Sequence, residues 1–305
     1  MLYSFGRLGL DRDPGNSWHP ECQRANRSRR LSIMPRLLTL GVIVLQTVQI
    51  PSMSSARIFL TGRSYPSGEL PVAAAVQDFN NDGKADIATA NENDKNVSFF
   101  LNNGNGTFAP ANTFKLGAGA GAFDIVSRDM NDDGNFDIVV SDGLTSLNLA
   151  FGNGDGTFAP ATAIKINEYS GQLPHEIAIA DLNSDGILDL AVALYEQEFD
   201  TAGKIAVLIG QGEGSFAPPI YYPLMEDPTG LVAADLNQDG KLDLAVSIRL
   251  FSGEDKSLAV LLGNGDGTFQ PALRSVDGGS ASDLSSGDFN GDGKVDLALS
   301  HDFLD

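Results

Sequence analysis

DFNNDGKAD, residues Asp78–Asp86, decides the reading of this chain, because the sequence repeats its pattern four more times. The other copies are DMNDDGNFD from Asp129, DLNSDGILD from Asp181, DLNQDGKLD from Asp235 and DFNGDGKVD from Asp288. Each keeps Asp, Asn, Asp, Gly and Asp at positions 1, 3, 5, 6 and 9, and the starts lie 51, 52, 54 and 53 residues apart. A fixed period of this length marks a repeat array. Oxygen donors at alternate positions around a sharp glycine turn also suit a hard cation of calcium size.

The candidate ligands follow from the loop positions. Carboxylates come from Asp78, Asp82 and Asp86, then Asp129, Asp133 and Asp137, then Asp181, Asp185 and Asp189, then Asp235, Asp239 and Asp243, then Asp288, Asp292 and Asp296. Asn80, Asn131, Asn183, Asn237 and Asn290 add a neutral oxygen. Position 7 is Lys84, Asn135, Ile187, Lys241 and Lys294, which share no side-chain chemistry. A backbone carbonyl ligand allows that variety. The loop is not an EF-hand, which needs a Glu at position 12 and flanking helices. Here position 12 is Thr89, Val140, Val192, Val246 and Leu299. An acidic surface turn without metal is the competing reading, weakened by five copies in register.

A second signature follows four of the loops: NGNGTFAP ending at Pro110, NGDGTFAP at Pro160, QGEGSFAP at Pro218 and NGDGTFQP at Pro271. Gly-rich turns between apolar runs are hairpin signals. One repeat then parses as four strands, in the first copy 72–78, 86–90, 96–101 and 107–115. Four-stranded units at this period predict an all-β propeller. Small residues before each acidic loop (VAAAVQDF, IAIADL, LVAADL, LSSGDF) suit strands crowded near a propeller axis. Phe108, Phe158, Phe216 and Phe269 close the second signature and are expected to pack blade on blade.

The DxNxDGxxD loop and the GNGDGTF turn together resemble the FG-GAP/VCBS repeat of integrin-α-like β-propellers, over roughly residues 57–300. The resemblance implies structural calcium between the first and second strands of each blade, on the face opposite the usual ligand surface. It also implies the settings in which such repeats occur: adhesion proteins, lectins, and accessory domains beside hydrolases or lyases. Such propellers usually have seven blades. This sequence holds four full blades and part of a fifth, which reads as a truncated propeller. Alternatively, RIFLTGRSY (57–65) completes the last blade as an outer strand.

The chain carries 40 acids against 20 bases, a net charge of −20, and the five loops supply three Asp each. Bound calcium would neutralise much of that charge. The balance excludes a nucleic-acid partner, which requires basic patches. Residues 1–33 are an Arg-rich, unpatterned extension holding the single Cys and Trp, and translation is expected to start at Met34. Residues 34–55 match a secretory signal peptide, leaving 56–305 as the propeller with no membrane span in the mature chain. The chain is therefore expected outside the cytosol, secreted or at a cell surface or in a periplasm, where calcium is plentiful.

No catalytic constellation emerges, so no enzyme is expected. His175 begins HEIAI, which lacks the second His of a zincin helix, and is read as a loop residue. LGAGAGAF (116–123) reads as a blade connection, not a dinucleotide loop. The expected function is a protein or glycan interaction module. A lectin, or an accessory part of a polysaccharide-active enzyme, is the alternative. Tyr65, Tyr169, Tyr195, Tyr222 and Phe251 are candidate stacking residues in the variable segments.

Overall fold

The computed structural model describes residues 42–48, 58–117, 121–167, 171–196, 203–224, 226–249, 257–275 and 280–303. All lie in one unit, Thr39–Asp305. The extension 1–33 and most of the signal segment fall outside them, as do Tyr169 and Phe251.

Every described element is a strand, and every pairing is antiparallel. β1 (Val42–Val48) pairs with β2 (Ile58–Tyr65). Four sheets of four strands follow. The first holds β3 (Pro71–Gln77), β4 (Asp86–Asn91), β5 (Asn96–Phe100) and β6 (Asn112–Lys115). The second holds β7 (Ile125–Arg128), β8 (Asp137–Ser141), β9 (Ser146–Ala150) and β10 (Thr162–Lys165). The third holds β11 (Gln172–Ala180), β12 (Asp189–Glu196), β13 (Lys204–Leu208) and β16 (Ile220–Pro223), with β14 (Gly210–Gly212) and β15 (Ser215–Phe216) as a small ladder in its last hairpin. The fourth holds β17 (Asp227–Ala234), β18 (Asp243–Arg249), β19 (Leu258–Leu261) and β20 (Leu273–Ser275). β21 (Ser280–Gly287) and β22 (Asp296–Phe303) form a two-stranded fifth. Each four-stranded sheet is a propeller blade, and the first strands β3, β7, β11, β17 and β21 neighbour one another in succession.

The core lies between blades, because both faces of the second strands are buried. On β8, Ile138 and Val140 face the first blade while Val139 faces the third. On β12, Leu190, Val192 and Leu194 pack toward the second blade, and Ala191 and Ala193 toward the fourth. Such strands read as continuous apolar runs instead of alternating ones.

Phe158 behaves as expected, resting on Phe99 at 4.4 Å, Phe114 at 5.7 Å and Phe79 at 5.8 Å, all in the first blade. Phe216 and Phe269 join the next two inter-blade clusters.

Three expectations need correction. The fourth strand of the first copy is only Asn112–Lys115, because residues 107–111 belong to a hairpin anchored by the bridge Asn102↔Phe108. The described part of RIFLTGRSY, Ile58–Tyr65, is paired with β1, not with the fifth sheet. His175 lies inside β11, which runs longer than its counterparts and carries an irregularity between Pro174 and Ile177.

Candidate metal centre

Each acidic loop joins the first and second strands of its blade and repeats one hydrogen-bond network. In the first, the Asp82 N–H donates to Asp78 Oδ1 at 3.1 Å and to Asn80 Oδ1 at 3.2 Å. The Gly83 N–H donates to Asp78 Oδ2 at 2.7 Å, and the Lys84 N–H to Asp82 Oδ1 at 3.0 Å. The same four bonds recur from Asp129, Asp181, Asp235 and Asp288. Oxygens from positions 1 and 3 thus meet at one backbone nitrogen. Lys84 Nζ lies 2.8 Å from Asp82 Oδ2, and this contact holds the exposed Asp82 carboxyl below the usual range.

The turn depends on two left-handed residues. Position 6 is glycine throughout, with φ between 80° and 86°. Position 4 is left-handed as well: Asn81 at 56°, Asp132 at 60°, Ser184 at 61°, Gln238 at 62° and Gly291 at 78°. The sequence reading missed position 4. The signal available was its run of polar residues and one glycine, types that mostly tolerate this region.

Position 9 plays a part that its spacing did not reveal. Asp86, Asp137, Asp189 and Asp243 are fully buried at the start of the second strands. In each, Oδ2 accepts the N–H of position 2 (Phe79, Met130, Leu182, Leu236) at 2.8–3.1 Å. Oδ1 accepts an N–H from beyond the third strand (Asn102, Gly152, Gly210, Gly263) at 2.7–2.8 Å. This carboxylate therefore clamps three parts of a blade together. Burial pushes the Asp86, Asp137 and Asp189 carboxyls up, and the two N–H bonds oppose that shift. Asp296 keeps the position-2 bond, from the Phe289 N–H at 3.0 Å, but among the described residues its Oδ1 meets only Asn290 Nδ2 at 3.5 Å.

The loops also touch one another. Asn81 Nδ2 donates to Asn135 Oδ1 of the next loop at 2.8 Å, and the Gly156 N–H donates to Phe79 O at 3.0 Å. A Cβ on Gly156 would meet Leu101 at 3.1 Å and lie 3.7 Å from Asn80 Cβ. The glycine turn of one repeat is thus seated on the acidic loop of the repeat before it.

The donors suit a hard cation: oxygens only, at alternate positions, with Asp and Asn oxygens already drawn together. Positions 1, 3 and 5 would hold it with the carbonyl of position 7. An ionised carboxylate has about four lone-pair sites, so position 9 retains acceptor capacity beside its two N–H bonds. Among the described residues, no three Asp, Glu, His or Cys side chains converge as a preformed metal cluster. Completing the shell would require side-chain rotation within the loops.

A second polar group lies at the junction of the second and third blades. Asp124 accepts the Ile177 N–H at 2.9 Å and the Ile125 N–H at 2.7 Å. Burial, then the nearby Glu176, push its carboxyl up to about 7. His175 Nδ1 stands 3.3 Å from Glu176 Oε1, close enough for an ion pair but not aligned as a hydrogen bond, and this contact raises the imidazole. Tyr195 lies 6.5 Å from His175. Two other stacking candidates serve packing instead. Tyr65 and Tyr222 each meet a hairpin phenylalanine edge-on at 5.6 Å, and each hydroxyl accepts that residue's N–H at 3.1 Å (Phe108 and Phe269).

Comparison with known families settles what this architecture is. The model of the FG-GAP-like repeat matches residues 78–140, 129–192, 181–246 and 250–299. The chain belongs to the FG-GAP-like repeat family. No curated protein matches it. Among solved structures, this chain aligns with a Photorhabdus luminescens Tc holotoxin pore at 19% identity and TM-score 0.42, covering 84% of this chain and 12% of that one. It also aligns with BBS1N in complex with ARL6DN, in crystals soaked with mercury (13% identity, TM-score 0.47, covering 75% of this chain and 60% of that one). Crystals soaked with lead give 11% identity, TM-score 0.48, and 72% and 61% coverage. The chain spans less than two thirds of each of these. Among the described residues, no helix is long and apolar enough to cross a membrane.

Proposed function

We propose that this FG-GAP repeat propeller is a non-catalytic, calcium-dependent interaction module that works outside the cytosol and reaches it through the 34–55 signal segment. The observation that carries the reading is the loop network itself. Five loops repeat the same oxygen-rich turn, with oxygens of positions 1 and 3 meeting at one N–H. Loops of this charge and openness suit weak calcium binding, of the order of 10⁻⁴–10⁻³ M as in extracellular modules. Calcium would relieve carboxylate repulsion and fix each loop against the next repeat's glycine turn. The partner, a protein or glycan, would meet the connections at the other end of the blades, where Glu176 and Tyr195 lie.

The test is calcium titration of the purified chain, reading bound metal and melting temperature together. About one ion per loop and a rising melting temperature are expected. Asp133→Ala should remove one ion. A folded protein that binds none at 10 mM calcium, a level roughly tenfold above the weakest such sites, overturns the reading.

A further inference from the structure

Two neighbouring blades carry the same aromatic–acid pair at the end remote from the acidic loops. Phe123 and Asp124 stand six and five residues ahead of Asp129, and His175 and Glu176 stand six and five ahead of Asp181. The places that match Phe123 in the other repeats, Val72, Thr229 and Ser282, hold no ring. The rings of Phe123 and His175 lie 6.2 Å apart, tilted by 44°. Tyr195, near the end of β12, extends the row, 6.5 Å from His175 and tilted by 42°.

The row is built into the frame. Gly121 and Gly143 make room for Phe123: a Cβ on Gly121 would come 2.7 Å from its ring, and one on Gly143 would collide with it. Asp124 spans the two blades, accepting the N–H of Ile125 on β7 and of Ile177 on β11, so backbone contacts hold the spacing of the two rings. β7 lies between β3 and β11, and β11 between β7 and β17, so the row sits inside the array. Even there the His175 and Glu176 side chains are 42% and 30% exposed, and Phe123 and Tyr195 are half-buried.

The charges around the rings select the ligand. Glu176 repels an anion. Arg249, close enough to oppose protonation of His175, repels a cation, as does the imidazolium itself. A neutral molecule with hydroxyls and one apolar face satisfies both conditions. Its C–H face lies on the rings, and its hydroxyls meet Glu176, Arg249 and the Tyr195 hydroxyl. We propose that Phe123, His175 and Tyr195 form a shelf that binds a pyranose unit of a glycan. The proposal rests on the interaction-module reading above and narrows its partner to a saccharide.

The test adds the methyl glycosides of glucose, galactose, mannose and N-acetylglucosamine, and a tetramer of each sugar, to the full chain. Each is supplied at about 10 mM, roughly tenfold above a millimolar dissociation constant. Binding of at least one is expected in saturation-transfer NMR, with the signal strongest on the C–H protons of one pyranose face. Phe123→Ala and Tyr195→Ala should each weaken that sugar about fivefold to tenfold by calorimetry, the loss of one ring contact, and Phe123→Tyr should restore it. Calcium bound by the same samples should stay unchanged, which separates a lost shelf from a lost fold. Absence of binding across the panel, transfer spread evenly over the sugar, or full affinity in both Ala variants overturns the proposal. The transfer pattern, read on the unaltered chain, decides even where a variant unfolds. A chain that binds calcium and a protein at this face, but no sugar, overturns the saccharide alone and leaves the interaction-module reading standing.

Discussion

The first and fifth acidic loops share their internal bonds and differ in everything around them. Both tie positions 5 and 6 back to position 1. Yet Phe79 is 2% exposed and Asp86 fully buried, while Phe289 is 62% exposed and Asp296 only half-buried. The loop shape is therefore a local property of nine residues. Burial of positions 2 and 9 is contributed from outside, by the third strand and by the following repeat's hairpin. The pair separates what a repeat does for itself from what its neighbours do for it.

The largest test of that division is position 9. Asp137→Ala orphans two buried N–H groups, each costing about 1–3 kcal/mol, so urea unfolding should show a loss of about 4 kcal/mol. Asp296→Ala should cost less than about 1 kcal/mol, because its second bond is weak and solvent is at hand. Equal losses would show that the clamp does not depend on the third strand.

Position 2 comes next. Phe79→Ala removes a ring packed on two other phenylalanines and should cost about 3–4 kcal/mol. Phe289→Ala should fall within about 0.5 kcal/mol of the parent, as exposed positions do.

Acidity probes a junction that the fifth sheet does not share. The unfolded chain releases the Asp124 proton near pH 4, whereas the folded chain holds it to about 7. Stability should therefore fall as pH rises from 4 to 7. Asp124→Asn should flatten that fall, compared by urea midpoints at pH 5 and pH 8. His175, raised by Glu176, acts in the same direction, favouring the fold below its ordinary pKa, and should leave a residual slope.

The smallest effect is the most local. Ser184→Gly relieves a left-handed residue, at a cost of roughly 1 kcal/mol, but loosens the unfolded chain, for a net gain of about 0.5 kcal/mol. Gly291→Ser in the fifth loop should lose a similar amount despite its different surroundings. A large difference between the two, read as melting temperatures, would mean that the loop is not autonomous.

Much of this was legible in the sequence, because local turns and two-sided apolar runs leave regular marks. The repeat period, most of the blade strands and the packing of Phe158 were readable, although the fourth strand of the first copy is shorter than expected. Position 9 was not, since a recurrent Asp looks the same whether it holds a cation or backbone amides. Asp137 shows the second role only when Gly152 is brought beside it from another strand. Tyr222 looked like a surface aromatic in a variable segment. Pairing with Ile205 turns it inward, onto the Phe269 of the next blade. Such facts depend on which residue lies across a sheet, and a single chain does not print its cross-strand register.

The seating of the Gly156 and Gly267 turns against the preceding loops also bears on an order in time. Phe79 leaves the ribosome 79 residues ahead of the Phe158 that covers it, a delay of roughly 4–16 s at 5–20 residues per second. For that interval each newly made blade shows a bare apolar edge. Assembly proceeds one way along the chain, each repeat finished by its successor. A pause in translation between repeats would prolong that exposed, aggregation-prone state.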